Sequence, residues 1–579
     1  MDDKVAGVVI AGYQGVLAHR TRERLLERGH EATLAGPEED PTDRSPVPKV
    51  IVCFPFTPAG KGGNRALWRR ELDDIESWVG RAGAAGVERI VLRSCSTAYG
   101  FSFKNYGLME EDRISLLDPD ASEARWLRAE RLLLDEDGSA VGPFSAAALR
   151  LANVADPGEG EFITRLFSSR LAVPAAGYDP RVQFVSLEDA SESIIQAVES
   201  TASGIFNIAG DGCVEFRRAL KAAVPIRIPV GHSIQRPLRG LLRRLGRSES
   251  DPGSVDQLQY NWTVSSDRAK RELGFAPSRS GAGALREMLE KVGRGKPQRI
   301  EENCDEFGLD PKYLRAWDFW FRFLRKIYWR AEVEGLENIP REGPALMVAN
   351  HRGFMPFDGV VHRSAIVEKT GRHIRFLVIP SLFKFPFLSD FLIKQGGVVA
   401  SQLNSARLFR RGELVGIFPE GITGAFRMYK GAYRLGAFAR DTFARMAIEH
   451  QVPVIPGAVV GHVEIFPILA RMNIPPLMRW TGWPFIPVTP TFPLLPVPLP
   501  TKWHVRYMDP ISVSPLKPED ADDRKRVREF SQHVRGVLQG GIDDMLARRK
   551  HVFFGNIFDG SPVRRGVEVT SGSKPEETL

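Results

Sequence analysis

Residues 8–18 read Val-Val-Ile-Ala-Gly-Tyr-Gln-Gly-Val-Leu-Ala, an apolar run that meets a glycine turn and then an amphipathic segment. The run predicts a buried strand, and Leu17–Arg28 has the spacing of a helix. Similar segments alternate through the first 290 residues. Further strand-like runs are Val50–Phe54, Arg89–Leu92, Ala147–Leu151, Gln183–Val185 and Ile205–Ile208. This alternation predicts an α/β fold with a parallel, doubly wound sheet.

Length and composition indicate a globular protein with more than one domain. The chain has 579 residues, which exceeds one ordinary core, and its apolar fraction is 43%. The net charge of +8 favours anionic partners such as acidic lipids or phosphorylated substrates, although a solvated basic surface explains it equally well. No nucleic-acid recognition motif accompanies this charge, so we expect no nucleic-acid partner.

Cysteine usage and hydropathy indicate the cellular compartment and whether the chain has disulfides, a metal site or a membrane span. The four cysteines form no Cys-x-x-Cys pair, so we expect neither a disulfide framework nor a metal site, and a reducing compartment fits best. The N-terminus lacks the shape of a signal peptide, and no clean run of eighteen apolar residues predicts a transmembrane helix. The nearest candidate, Ile474–Pro500, is interrupted by repeated prolines, which are incompatible with a spanning helix.

Composition shifts divide the chain into predicted segments. We expect a first α/β domain at 1–292, a charged linker at 293–311, a second α/β domain at 312–555 and a polar, disordered tail at 556–579.

The first domain resembles the extended short-chain dehydrogenase/reductase family, which includes NAD-dependent epimerases and dehydratases and has a Rossmann-like fold. Three segments carry the resemblance: Ser94–Gly100, Leu149–Val154 and Asp267–Pro277. In such a fold the glycine turn lets the backbone approach a pyrophosphate at a helix N-terminus. The resemblance implies that Gly12, Gly15 and Ala18 line a cofactor site, with NAD(P) as its ligand.

This domain departs from the family at its catalytic positions. Residues 1–290 contain no Tyr-x-x-x-Lys, and aligning Trp126 to the family's tyrosine places Glu130 at the lysine. Cys95 stands at the Ser/Thr position, and the second strand ends Leu-Ala-Gly without the acidic residue that holds the NAD ribose. We therefore expect no standard redox or epimerase reaction, while nucleotide binding, a regulatory role and a docking role remain open.

The second domain contains an Asn-His-Arg-Gly-Phe-Met-Pro-Phe-Asp-Gly block at residues 350–359, directly after the strand-like run Ala345–Val348. Three later segments follow it at Gly396–Ser401, Leu414–Gly421 and Val452–Ala458. Their order and spacing resemble the glycerolipid acyltransferase superfamily, which includes lysophosphatidic acid and mono- and diacylglycerol acyltransferases. The resemblance covers about residues 335–515.

The resemblance implies roles for individual residues. His351 would be the general base that takes a proton from an acceptor hydroxyl, and Asp358 would orient its ring. The loop Phe418, Pro419, Glu420 and Gly421, together with Lys430, would line the acceptor site. The implied donor is acyl-CoA or acyl carrier protein, and the implied acceptor is a glycerolipid or lysophospholipid hydroxyl. The transfer itself requires no cofactor.

One departure bears on the acceptor. Six residues separate His351 from Asp358, whereas the common motif has four, and this form resembles the branch of mono- and diacylglycerol acyltransferases. The second block also lacks the arginine with which many members hold glycerol phosphate. A neutral glycerolipid or long-chain alcohol is therefore at least as plausible as a phosphorylated acceptor.

Two segments predict contact with a membrane surface. Residues 312–331 interleave aromatic and basic side chains, which is typical of an interfacial helix, although a core helix would explain the pattern equally. The segment Ile474–Pro500 predicts a second apolar surface patch. We expect a cytoplasmic protein, peripheral or monotopic on the inner face of an anionic membrane. The alternatives are a bifunctional enzyme with an active NAD(P)-dependent domain and a non-catalytic lipid-binding scaffold.

Overall fold

The computed structural model describes residues 7–56, 65–105, 107–112, 124–231, 234, 237, 256–293, 295–300, 304–353, 355–438, 441–492 and 497–558. The predicted tail lies outside these residues from 559 onward. Contacts group the chain into two compact units, residues 1–318 with 374–415 and residues 319–373 with 416–579.

Before residue 318 the structure describes twelve strands, all in the first unit. The six longest of them form one sheet. The twelve strands are β1 (Gly7–Gly12), β2 (Glu31–Ala35), β3 (Val50–Phe54), β4 (Arg89–Cys95), β5 (Ser145–Leu151), β6 (Asn153–Val154), β7 (Leu171–Ala172), β8 (Arg181–Val182), β9 (Phe184–Val185), β10 (Gly204–Ile208), β11 (Val214–Glu215) and β12 (Ile226–Arg227). The central sheet has the order β10-β5-β4-β3-β1-β2, and each adjacent pair in it is parallel. The strand order reverses between β1 and β3, which is the switch point where doubly wound sheets place ligands.

Helices accompany these strands throughout the first unit. They are α1 (Val16–Glu27), α2 (Arg65–Ala85), α3 (Ala124–Leu133), α4 (Phe162–Phe167), α5 (Leu187–Glu199), α6 (Phe216–Ala223), α7 (Asp267–Glu272) and α8 (Gly281–Val292). Alternate residues of β1 enter two different cores: Val8 and Ile10 pack in one, and Val9 and Ala11 in the other. A sheet buried on both faces is the doubly wound architecture that the sequence predicts.

The remaining strands and helices follow in chain order. The strands are β13 (Glu332–Glu334), β14 (Ala345–Ala349), β15 (Ile374–Val378), β16 (Val398–Val399), β17 (Leu414–Ile417), β18 (Val454–Val460), β19 (Ala470–Met472), β20 (Ile486–Val488) and β21 (His504–Tyr507). The helices are α9 (Pro311–Phe323), α10 (Phe357–Thr370), α11 (Leu388–Lys394), α12 (Gln402–Arg410), α13 (Gly421–Ala425), α14 (Thr442–Glu449), α15 (Pro475–Thr481) and α16 (Arg524–Arg548). Helix α9 runs on into π-helical turns at Leu324–Tyr328.

Residues 374–415 group with the first unit, although the sequence assigns them to the second domain. Buried ion pairs explain the grouping: Lys394 Nζ lies 2.9 Å from Asp179 Oδ2, and Arg407 Nη2 lies 2.7 Å from Glu110 Oε1. The predicted linker is also packed where it is described, since Ile300 belongs to a core of the first unit. The bounds of the compact units therefore differ from the domain bounds that the composition of the sequence predicts.

The second unit is built on a mixed sheet in which β13, β21, β18, β14 and β17 follow one another. Strands β14 and β18 are parallel, and β18 and β21 are antiparallel. Every residue of β14 and β18 is buried, as their unbroken apolar runs predict. Helix α16 begins after Asp523, whose carboxylate accepts from two backbone N–H groups of the first turn. The α/β prediction is confirmed for both units.

Candidate active site

The candidate site begins at the end of β14, where Asn350 is buried. Its side chain bonds both backbone groups of Val459: Nδ2 donates to the carbonyl at 2.9 Å, and Oδ1 accepts from the N–H at 2.8 Å. This pairing to β18 fixes the point at which the chain leaves the sheet. His351 is the next residue and is therefore held at the edge of a rigid scaffold.

Asp358 reaches His351 despite the longer gap between them. Gly353 has a φ of +86°, a left-handed conformation that suits glycine, and α10 begins at Phe357. The carboxylate Oδ2 accepts from His351 Nδ1 at 2.6 Å and from the backbone N–H of Arg352 at 3.2 Å. Asp358 is fully buried, whereas the His351 side chain is 14% exposed. The open nitrogen of the ring, Nε2, is thus the one available to a substrate.

Two further histidines, which the sequence analysis missed, surround the same carboxylate. Burial lowers the pKa of His362 to about 4 and that of His462 to about 3, so both are neutral at physiological pH. Burial alone would raise the pKa of Asp358, but His462 and His351 outweigh it, and the net pKa lies below the usual value. His362 follows Asp358 by four residues on α10. This helical spacing places both side chains on one face and could have indicated from the sequence that they are close. His462 lies far along the chain and had no such signal.

The Phe-Pro-Glu-Gly loop meets the histidine at the end of β17. The Phe418 ring packs against the His351 imidazole, with ring centroids 4.7 Å apart and planes inclined by 30°. Pro419 follows, Gly421 has a φ of +55°, and Glu420 is buried in an ion pair with Arg352. The structure thus brings this loop and the His351–Asp358 pair together.

Lys430 lies apart from this buried arrangement. It is exposed on the turn that precedes Gly431 and has no hydrogen bond or ion pair with the residues that the structure describes. Its predicted role at the acceptor stays a prediction.

The glycine turn of the first unit has the predicted backbone, but a carboxylate lies at its helix. Gly12 has a φ of +101°, and a Cβ there would lie 2.2 Å from the Phe54 carbonyl, while Ala18 is fully buried. The Leu17 N–H at the start of α1 donates to Glu159 Oε1 at 2.6 Å. The same oxygen would lie 2.9 Å from a Cβ on Gly15.

The residues present therefore do not fit a dinucleotide pyrophosphate. Glu159 is buried and already accepts from the helix amide that a phosphate would use. A second carboxylate lies close by, since burial, offset by Arg93 and reinforced by Glu159, raises the pKa of Glu161 to about 7. A bound phosphate would add negative charge to this carboxylate cluster.

The expected catalytic dyad of the first unit is replaced by a buried ion pair. Arg150 donates to Glu130 through Nε at 2.9 Å and Nη2 at 2.6 Å, and Ser94 Oγ donates to the same carboxylate at 2.5 Å. Burial raises the pKa of Tyr99, whose hydroxyl donates to Asn207, to about 12. The Tyr99 hydroxyl is therefore not poised to exchange a proton near neutral pH.

Two other features, a membrane-spanning helix and a metal-binding cluster, are absent from the residues that the structure describes. No helix within them is sufficiently long and apolar to cross a membrane. No cluster of three histidine, cysteine or acidic side chains among them could hold a metal ion.

Comparison with known proteins locates one family. A family model described as Acyltransferase matches residues 330–460, which include His351, Asp358 and Phe418–Gly421. An uncharacterized protein of Mycobacterium tuberculosis is 35% identical over 300 residues, which cover 50% of this chain and 83% of that protein.

Two more distant similarities accompany these. The bovine "DGAT1/2-independent enzyme synthesizing storage lipids" is 32% identical over 216 residues, which cover 37% of this chain and 59% of that protein. Among solved structures, the UDP-N-acetylglucosamine 4-epimerase of Bacillus cereus is 16% identical and covers 49% of this chain and 99% of its own, with a TM-score of 0.39.

Proposed function

The chain belongs to the acyltransferase family, and we propose that it moves a fatty acyl group from acyl-CoA or acyl carrier protein to a hydroxyl of a glycerolipid or lysophospholipid. The observation that carries this proposal is the His351–Asp358 pair. Its buried carboxylate holds Nδ1 of a partly exposed imidazole at 2.6 Å, beside the Phe418–Gly421 loop.

The geometry gives each residue a step in the transfer. Asp358 accepts a hydrogen bond from the Nδ1–H of His351, which keeps the proton on Nδ1 and leaves Nε2 unprotonated and able to take the proton of the acceptor hydroxyl. The hydroxyl oxygen then bonds to the thioester carbonyl carbon, and the carbon–sulfur bond breaks. The proton on His351 passes to the departing thiolate, so the products are an ester and a free thiol. Asp358 stabilises the imidazolium that forms in between.

We propose a neutral acceptor in preference to a phosphorylated one. The buried arginine of the site, Arg352, is already engaged by Glu420, and Lys430 is an exposed cation on the turn that follows α13. The name of the bovine relative refers to storage lipids, which supports a mono- or diacylglycerol-like acceptor. A lysophospholipid stays the second candidate because Lys430 could pair with its phosphate.

Membrane contact is part of the proposal and is supported by two surfaces of the second unit. The aromatic helix face consists of Phe319, Trp320 and Ile327, each more than half exposed, with Arg322 exposed between them. Leu314 and Phe321 of the same helix are instead buried. A helix that is apolar on a second, exposed face and carries cations there suits the interface of an anionic bilayer.

The hairpin patch consists of Leu469, Met472, Ile474 and Trp480, which are exposed on and around β19 and α15. Residues 465–508 contain no Asp or Glu, and Arg471 and Arg479 are exposed within the patch. Exposed apolar side chains beside exposed cations complement anionic head groups. We propose a peripheral or monotopic enzyme on the cytoplasmic face of such a membrane.

The test is acyl transfer by the purified full-length protein with a labelled long-chain thioester. Acceptors presented in vesicles would be monoacylglycerol, diacylglycerol, a fatty alcohol, lysophosphatidic acid and lysophosphatidylcholine, each with acyl-CoA and with acyl carrier protein. Transfer to one of the first three supports the neutral-acceptor proposal, and transfer restricted to the last two contradicts it. Transfer to none of them would favour a lipid-binding scaffold.

The bifunctional alternative is tested separately in the first unit. Because Glu159 lies at the helix N-terminus, titration with NADH or NADPH should give no saturable change in nicotinamide fluorescence. Saturable binding with turnover of a nucleotide sugar or a carbonyl substrate would establish the bifunctional enzyme instead.

A further inference from the structure

Arg352 and Glu420 form a buried ion pair in the second unit's site. Nη1 and Oε2 lie 2.6 Å apart, Nη2 and Oε1 lie 3.0 Å apart, and both residues are 2% exposed. A buried guanidinium is costly unless all its N–H groups find acceptors. Its remaining bonds therefore show what the pair holds.

Those remaining bonds go to backbone carbonyls of two separate segments. Nη1 donates to the His351 carbonyl at 2.7 Å, Nε to the Ala432 carbonyl at 2.5 Å, and Nη2 to the Arg434 carbonyl at 3.2 Å. An arginine has five N–H donors, and these three bonds with the two to Glu420 use all of them. Arg352 has no donor left for a substrate.

Glu420 is committed in the same way. Its Oε1 also accepts from the Gly436 N–H at 2.7 Å, which ties it to the segment that Arg352 holds. A Cβ on Gly424 would lie 2.6 Å from Glu420 Cβ and 3.0 Å from Arg352 Nη1. The space beside the pair is thus closed by the protein itself, and an acceptor has no access to the carboxylate from this side.

We propose that Arg352 and Glu420 are positioning residues, whose ion pair fixes the His351 backbone to the Phe418–Gly421 loop, and that Glu420 does not contact the acceptor. The backbone N–H of Arg352 also donates to Asp358 Oδ2 at 3.2 Å, so the pair sets both partners of the His351–Asp358 bond. This proposal rests on the proposed role of His351 in acyl transfer. It replaces the substrate contact that the sequence assigned to Glu420.

Steady-state kinetics distinguish positioning from binding. Glu420→Gln and Arg352→Gln should each lower kcat by about 100-fold, because a small misplacement of the base costs that much, while the acceptor KM changes by less than about threefold. The double variant should be no worse than the poorer single variant, since either change already breaks the pair. A raised acceptor KM with unchanged kcat in Glu420→Gln would overturn the proposal.

Two further variants serve as controls, one for misfolding and one for the loss of an ion pair elsewhere on the surface. Arg352→Lys keeps the charge but loses the fork, so it should retain the fold and still lose kcat at constant acceptor KM. Arg445→Gln removes an exposed ion pair with Asp522, at 2.7 Å, and should change neither constant.

A readout that needs no turnover separates the two proposals. If the wild type transfers no acyl group to any acceptor, the proposed function fails. Hydrogen exchange at the Gly436 amide still tests the pair, because its acceptor is Glu420 Oε1. Faster exchange in both Arg352→Gln and Glu420→Gln, with a lower unfolding midpoint, is the expected result. Unchanged exchange would show that the pair holds nothing in place.

Discussion

In each unit a buried carboxylate lies beside the candidate catalytic position, and the two carboxylates, Glu130 and Asp358, have different partners. In the first unit Glu130 is bonded by Arg150 and Ser94, and all three are buried. In the second unit Asp358 is bonded by His351, whose side chain is 14% exposed. A guanidinium does not release its proton near neutrality, whereas an imidazole does. The first unit therefore contains a structural pair at this position, and the second unit contains the proposed catalytic pair.

The largest expected effect is on the catalytic pair. Asp358→Asn should lower kcat for acyl transfer by roughly 10³- to 10⁴-fold, because the amide no longer selects the tautomer with an open Nε2. The acceptor KM should change little, and steady-state kinetics would measure both. A variant that retains more than a tenth of the wild-type kcat would remove Asp358 from the mechanism.

The structural pair should show the opposite pattern. Glu130→Ala leaves the buried Arg150 without its carboxylate and should destabilise the first unit by about 3–5 kcal/mol. Thermal unfolding would show an earlier transition, while kcat per folded molecule should match the wild type at a temperature where the variant is folded. Equal melting of variant and wild type would mean that the pair is not the structural element described here.

Acidification should destabilise the surroundings of the proposed catalytic pair, because His362 and His462 are buried there as neutral side chains. His362 and His462 have folded pKa values of about 4 and 3, below the ordinary value near 6.5, so the unfolded chain binds more protons between these limits. These histidines therefore cost no stability above pH ~6.5, and they destabilise the folded state increasingly as the pH falls toward 4 for His362 and toward 3 for His462.

The measurement is the unfolding midpoint of the wild type and of His462→Asn at pH 7 and pH 5. The wild type should lose more stability on acidification than the variant, with a difference of up to about 2 kcal/mol. Equal losses in the two proteins would contradict a buried neutral His462.

The smallest expected effect concerns the membrane. Trp480→Ala should weaken partitioning onto vesicles of phosphatidylcholine and phosphatidylglycerol by about tenfold, because the exposed indole is withdrawn from water there. Ile226→Ala, an exposed apolar side chain of the first unit, is the matched control. Sedimentation of both variants with vesicles measures the effect, and equal partitioning would exclude the hairpin patch as a contact.

Local sequence patterns predicted the fold well because the strands are apolar runs buried on both faces. Val50–Phe54 was located at its observed bounds, and β1 and α1 to within a residue or two. The predicted boundary of the two domains depended on composition alone. Composition carries no information about the ion pairs of Lys394 and Arg407, because their partners lie hundreds of residues earlier in the chain.

The candidate sites divide in the same way. His351 and Asp358 lie in one short block, so their pairing could be predicted from a motif. The Glu159 contact with the Leu17 N–H and the His462 position near Asp358 depend on long-range folding, which no local pattern records. Glu420 was recognised as part of a loop motif, but its ion pair with Arg352 follows only from the structure.

The most direct test of the account is the formation of labelled ester by His351→Ala beside the wild type, with the acceptor that the panel identifies. We predict that the variant keeps the wild-type unfolding midpoint and vesicle binding, and that its ester formation falls by at least about 10³-fold. Ester formation at the wild-type rate by the folded variant would contradict the claim that acyl transfer takes place at His351.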